Sequence, residues 1–109
     1  MATGIIKTDN QDYSLGIRQI GTYNGKPLYR ECFTFTVSST AETNTNINLT
    51  YTPKEVFALV GTMRGIPFGY FVNSNEYVRV FTTTTAPNAA VQTKGFNGTG
   101  YGYIEYTKS

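Results

Sequence analysis

The chain has 109 residues, of which 39% are hydrophobic, 15% aromatic and 15% charged, with a net charge of +2; this is enough chain for one core and too little for two. It contains no His and one Cys, which excludes Ser-His-Asp and Cys-His catalysis, the common imidazole zinc sites, Cys-cluster metal sites and an intrachain disulfide. The near-neutral charge and the scattered basic residues leave no clustered basic face for nucleic acid, and the composition points away from an enzyme and implies no cofactor.

The residues that remain describe a β domain. There are 18 Thr, 9 Asn and 11 Gly, with 9 Tyr and 7 Phe and no Trp. Thr, Tyr, Phe and Val suit a pleated, half-buried surface, and Gly and Asn suit tight turns.

Residues 1–12 show no hydrophobic period and read as a leader or linker stub, with a single domain over residues 13–109. A first strand is expected from Tyr13 to Ile20. Asn24-Gly25 follows, the dipeptide that takes the two positive φ values of a type I′ hairpin turn. Pro27 fixes φ and donates no ladder bond, so it belongs at the start or edge of the next strand. Leu28 to Val37 alternates: Tyr29, Phe33, Phe35 and Val37 form one row, interrupted by Glu31, against Leu28, Arg30, Cys32, Thr34 and Thr36. Such a period of two predicts one buried face. Asn24, Gly25, Pro27 and Tyr29 are thus read as a fold-defining hairpin.

Thr43 to Thr52 alternates again, with Ile47, Leu49 and Tyr51 against a polar, uncharged row of Asn46, Asn48 and Thr50. Val56 to Val60 is continuously apolar, as expected of a central strand covered on both sides. At five residues it is the longest apolar run, far short of the roughly 20 needed to span a bilayer as a helix. Arg64-Gly65-Ile66-Pro67 reads as a turn and Phe68 to Val72 as a strand with a bulge or close approach at Gly69. Asn73-Ser74-Asn75 is a further turn and Tyr77 to Thr82 a strand. Thr82 to Thr85, Pro87 and Asn88 form a loop, and Ala89 to Thr93 is a weak strand candidate. Gly95 to Gly100 reads as a flexible connection, and Tyr101 to Thr107 closes the chain. Seven or eight short strands with a turn about every ten residues predict an antiparallel β-sandwich. Thr52-Pro53-Lys54-Glu55 has room for one helical turn at most.

Met1 to Lys7 lacks the charged and long apolar regions of a secretory signal. Asn48-Leu49-Thr50 and Asn97-Gly98-Thr99, which match the glycosylation pattern, therefore read as strand and turn residues.

The stretch Ile20-Gly21-Thr22-Tyr23-Asn24-Gly25-Lys26-Pro27-Leu28-Tyr29-Arg30 resembles the GTW-x-DGKP-[LI]-Y motif that opens a small C-terminal domain of phage and prophage tail and baseplate proteins. The closing strand Tyr103-Ile104-Glu105-Tyr106-Thr107-Lys108 is similar to that family's x-Φ-x-Y-T-K ending. Ile66-Pro67-Phe68-Gly69-Tyr70 and Phe71 to Phe81 sit in matching order, so the resemblance covers about residues 13–109. Two features depart from the motif: Tyr23 stands at the Trp position, and the turn is one residue shorter. The resemblance implies a structural or receptor-binding role at the virion tail, often as a homotrimer, and no defined set of ligand residues. It also implies a fragment of a longer tail protein, made in the bacterial cytoplasm before assembly and lysis.

The candidate functional residues are aromatic. Nine Tyr exceed what a core of this size needs beside seven Phe, and Tyr suits both sugar stacking and subunit interfaces. Tyr70, Tyr77, Tyr101 and Tyr103 lie near Gly- and Asn-rich turns that could present them to a cell-surface saccharide or to a sister subunit, or they could merely cover the ends of the sandwich. The uncharged Thr/Asn face of residues 43–52 suits the same two partners and leaves a strand edge with little protection against pairing. Glu31, Glu55, Glu76 and Glu105 are far apart in sequence and show no glycosidase-type pair. Glu31 either pairs across a sheet or marks where the apolar row leaves the core. Cys32 reads as a buried structural thiol, since nothing nearby would lower its pKa. The expected function is a non-catalytic tail-tip domain that binds host-surface carbohydrate, without nucleic acid or membrane insertion. The alternatives are a purely structural fibre or baseplate module and a bacterial carbohydrate-binding module.

Overall fold

The computed structural model describes residues 7–8, 11–12, 15–82 and 89–108. Among these residues the structure is all-β, with no helix. A two-residue ribbon, β1 (Lys7–Thr8) with β2 (Gln11–Asp12), precedes two antiparallel sheets. The five-stranded sheet contains β3 (Gly16–Tyr23), β4 (Lys26–Val37), β6 (Pro53–Met63), β7 (Ile66–Pro67) and β11 (Gly98–Lys108), in the order β3-β4-β11-β6-β7. The four-stranded sheet contains β5 (Thr43–Ile47), β8 (Phe71–Asn73), β9 (Glu76–Thr82) and β10 (Ala89–Lys94), in the order β5-β10-β9-β8. The molecule measures 43 × 38 × 20 Å, and its shortest dimension fits two sheets about 10 Å apart with side chains outside them. The expected β-sandwich is what forms, with nine strands in the two sheets rather than seven or eight.

The core comes from both inner faces. Phe33, Phe35 and Val37 of β4, Met63 of β6 and Ile104 and Tyr106 of β11 face Ile47, Val78, Ala89 and Val91 of the other sheet. The alternation in β4 thus has the predicted outcome. The hairpin also forms as read. Asn24 and Gly25 have φ of 50° and 76°, and Tyr23 pairs with Lys26 and Thr22 with Pro27. Pro27 lies beyond Tyr29, the last β4 residue paired with β11, so no ladder bond is lost at its nitrogen.

Several elements differ from expectation. Tyr13 and Ser14 of the first expected strand, and residues 83–88 of the Thr-rich loop, lie outside the described residues. The strand expected over residues 43–52 ends at Ile47, where the chain leaves for the other sheet. Residues Val56 to Val60 are not doubly covered: Val56, Phe57 and Val60 are exposed, because β6 lies beside the two-residue β7. A register shift opposite Glu105 and Tyr106, where Phe57 has no partner, further turns the strand. Arg64 and Gly65, with φ of 53° and 81°, form a second tight hairpin, so Ile66-Pro67 becomes a short strand paired with Met63 and Thr62. The strand expected from Phe68 to Val72 is broken at its start. The Tyr70 amide donates to the Pro67 carbonyl across a turn with Gly69 at φ 93°, and this turn carries the chain from one sheet to the other.

Ala89 to Thr93, weak in sequence, is an interior strand with Ala89, Ala90, Val91 and Thr93 all buried. Gly98 and Gly100 belong to β11 rather than to a flexible connection. On the inner face of β11, a Cβ at Gly100 would stand 2.2 Å from Phe35 Cζ, and one at Gly102 would stand 2.9 Å from Phe33 Cζ. Across the ladder, a Cβ at Gly61 would meet the Tyr101 carbonyl oxygen at 2.3 Å and the Phe68 ring at 2.6 Å. These glycines let the Phe33, Phe35 and Phe68 rings lie directly on the backbone of β11 and β6.

Candidate functional site

Strand alternation assigns each candidate to a face. In β11 the inward row is Gly100, Gly102 and Ile104, so Tyr101, Tyr103 and Glu105 face outward from the five-stranded sheet. In register they stand opposite Thr34, Cys32 and Arg30 of β4. Tyr101 is 59% exposed. Tyr103 is half-buried, with the Arg30 guanidinium carbon 4.7 Å from its ring centroid. Arg30 is itself buried, and its Nε donates to Glu105 Oε2 at 2.8 Å while Nη2 engages the same oxygen. The cation is thereby neutralised beneath the ring it supports, as a buried charge requires. Cys32 is buried beside this group.

The four-stranded sheet carries a second aromatic group on its outward face. Tyr77, Arg79 and Phe81 of β9 point away from the core opposite Lys94, Gln92 and Ala90 of β10. Tyr77 is only 3% exposed, so it is not the presented ring that its turn-side position suggests. Phe71 of β8 stacks on it with centroids 5.8 Å apart and an interplanar angle of 20°. The Arg79 guanidinium carbon lies 4.5 Å from the same ring, Arg79 engages Gln92, and the Tyr77 hydroxyl donates to Glu42. The Glu42 hydrogen bond, followed by burial, raises the Tyr77 phenol above its usual range, since ionisation would set two negative charges side by side. Phe71 is the ring left outermost, at 56% exposure.

Tyr70 lies apart from both groups. It is 38% exposed, packs edge-on against Phe96 at 6.0 Å, and is held through its carbonyl by the Val78 amide at 2.8 Å. The four predicted tyrosines are therefore not one cluster: Tyr101 and Tyr103 share a face, Tyr77 supports the opposite face, and Tyr70 sits at the connection between sheets. Phe71, Arg79 and Arg30 went unnoticed in the sequence. The alternation of β9 does hold the signal for Arg79, whereas the stacking of Phe71 depends on the turn at Gly69.

The carboxylates do not converge. Glu31 stands opposite Ile104 and Glu105 opposite Arg30, so the two point to opposite faces of one sheet; Glu55 and Glu76 are exposed. Glu31 pairs across the sheet, with Tyr106 of β11, rather than marking the end of the core row. It remains on the inner face, accepting from the Thr50 amide at 3.0 Å, the Thr50 hydroxyl at 2.7 Å and the Tyr106 hydroxyl at 2.7 Å. The Tyr51 amide donates to Tyr106 Oη at 3.3 Å, and the Tyr51 ring packs against Tyr29 at 5.1 Å. This network fastens the β5–β6 crossover to the five-stranded sheet. Burial, then the Glu31 hydrogen bond, raises the Tyr106 phenol well above its ordinary range. Among the described residues, no three His, Cys, Asp or Glu side chains gather as metal ligands would.

Each outward face thus offers an exposed ring, Tyr101 or Phe71, beside a more buried tyrosine that an arginine covers, Arg30 paired with Glu105 and Arg79 with Gln92. The flat, near-neutral surface offers CH–π contact and hydrogen-bonding groups to an uncharged hydroxylated ligand, or dry aromatic area to another protein. Comparison of the chain with protein-family models, with curated proteins and with solved structures finds no match.

Proposed function

We propose that this domain is a non-catalytic attachment module of a phage or prophage tail tip or baseplate, and that it takes host-surface carbohydrate on its outward aromatic faces as part of a homo-oligomer. The observation that carries the binding reading is Phe71: an apolar ring left in water although Tyr77 of β9 stacks against it and is itself held by Arg79 of β9 and by Glu42, which precedes β5. Exposed apolar surface that the fold itself braces is a mark of recognition. A neutral glycan suits it because Glu42 and Arg79 flank the stack with opposite charges. The tail assignment rests on the opening and closing motifs.

A purely structural module from the same assembly is the second reading, favoured by the uncharged edge strand β5. A glycan array and adsorption to host cells separate the two. The binding reading expects signal from the wild type that falls at least tenfold in Phe71→Ala or Tyr101→Ala, both at exposed positions. A blank wild type in both assays refutes carbohydrate binding and leaves the structural module.

A further inference from the structure

The two sheets expose four strand edges, and three of them carry features that discourage pairing. On the five-stranded sheet, β3 bears Arg18 and a register break between Gln19 and Gly21. At the other side β7 is two residues long and contains Pro67, and the stretch of β6 beyond it carries Lys54, Glu55 and two register shifts. On the four-stranded sheet, β8 is three residues long with a register break of its own. The fourth edge is β5. Its five residues, Thr43-Asn44-Thr45-Asn46-Ile47, pair with β10 in unbroken register. They include no charge and no proline, and among the described residues no strand lies on their other side.

We propose that β5 pairs antiparallel with β5 of a second copy of this chain about a two-fold axis, joining two four-stranded sheets into one of eight strands. The sequence of β5 is complementary to itself when it is centred on Thr45. Thr45 then stands opposite Thr45 of the second copy, Thr43 opposite Ile47, and Asn44 opposite Asn46. The outward row would consist of carboxamides, each both donor and acceptor, so an antiparallel copy satisfies them without a like-charge clash. A strand with one lysine or glutamate near its centre would oppose itself in this register. The ladder also satisfies the backbone groups along the open side of β5. An isologous contact closes on two copies, so a threefold assembly of the kind the tail-protein resemblance implies needs a different surface. The contact is independent of carbohydrate binding and survives its failure.

The test combines solution mass with amide exchange on the whole chain. The wild type should sediment as two 12.1 kDa chains, with the open-side amides of residues 43–47, those not bonded to β10, protected and that protection lost on dilution. The double variant Asn44→Lys/Asn46→Lys, altered only at exposed outward positions, should sediment as one chain with unchanged circular dichroism. Mixing it with Asn44→Glu/Asn46→Glu should restore a mixed dimer, because each lysine then faces a glutamate. A monomeric wild type, a dimer that persists in the lysine variant, or a trimer whose β5 amides exchange freely overturns the proposal. Should the variant misfold, the concentration dependence of wild-type exchange at residues 43–47 decides alone.

Discussion

Replacing Glu31 probes the one carboxylate that, among the described residues, the fold holds on its inner face. In Glu31→Ala three donors lose their acceptor, but they do not lose equally. Thr50 is exposed, so water replaces the carboxylate at its amide and hydroxyl at little cost. The Tyr106 side chain is fully buried, and although the Tyr51 amide still donates to its oxygen, a buried hydroxyl whose proton has no acceptor costs about 1–3 kcal/mol. The space vacated by the Glu side chain adds roughly 1 kcal/mol or more. The expected loss is about 3 kcal/mol, which for a chain of this length corresponds to a fall in Tm of roughly 10–20 °C. Glu31→Gln has a different outcome. Its carbonyl oxygen still accepts from Tyr106, and the Thr50 hydroxyl can reverse to accept from the new amide. The lost charge assistance is opposed by cheaper desolvation, so the change stays within about 1 kcal/mol. Urea unfolding of both variants, with Tyr106→Phe and the double variant Glu31→Ala/Tyr106→Phe completing a double-mutant cycle, measures this directly. Near-additive costs for Glu31→Ala and Tyr106→Phe, or Glu31→Gln as damaging as Glu31→Ala, would refute the reasoning.

Further consequences concern the backbone and the tyrosines. Gly100→Ala drives a methyl into the Phe35 ring and should cost about 1–3 kcal/mol in chemical unfolding; a neutral result would show that the ring moves aside freely. Asn24→Val, at a positive φ, should cost at least about 1 kcal/mol through left-handed strain on a branched side chain, whereas Asn24→Gly should be nearly silent in the same assay. The Tyr106 and Tyr77 phenols both titrate above their ordinary value of 10.0 in the folded chain. The native state thus keeps protons that the unfolded state releases, so the contribution of these two groups to stability is constant below about pH 10 and falls above it. Tyr106→Phe should flatten that alkaline decline, and an unchanged slope in the variant contradicts the assignment.

How much of this was legible in the sequence depends on whether a signal was local. Asn24-Gly25 and the Tyr29–Val37 row specify a turn and a buried face within a dozen residues, and both form as expected. The β10 strand escaped because Ala89 and Ala90 are buried through smallness, which leaves no large alternating side chains to read. Gly98 and Gly100 read as part of a flexible link because the groups packed on them, the Arg64 side chain and the Phe35 ring, come from the β6–β7 hairpin and from β4. Glu31 interrupted an apolar row for a reason held by Thr50 and Tyr106, which are 19 and 75 residues away. At the candidate site, the outward pair Tyr101 and Tyr103 follows from alternation alone. The burial of Tyr77 under Phe71 does not, since it needs the Gly69 turn to bring β8 alongside β9.

The central claim is that the braced aromatic faces bind carbohydrate of a host surface. Its most direct measurement is adsorption of the purified domain to host cells, before and after enzymatic removal of their surface glycans, for the wild type and for Phe71→Ala. Wild-type adsorption that disappears with the glycans and falls at least tenfold in Phe71→Ala is the predicted result. Adsorption that survives removal of the glycans, or that the variant retains in full, contradicts it.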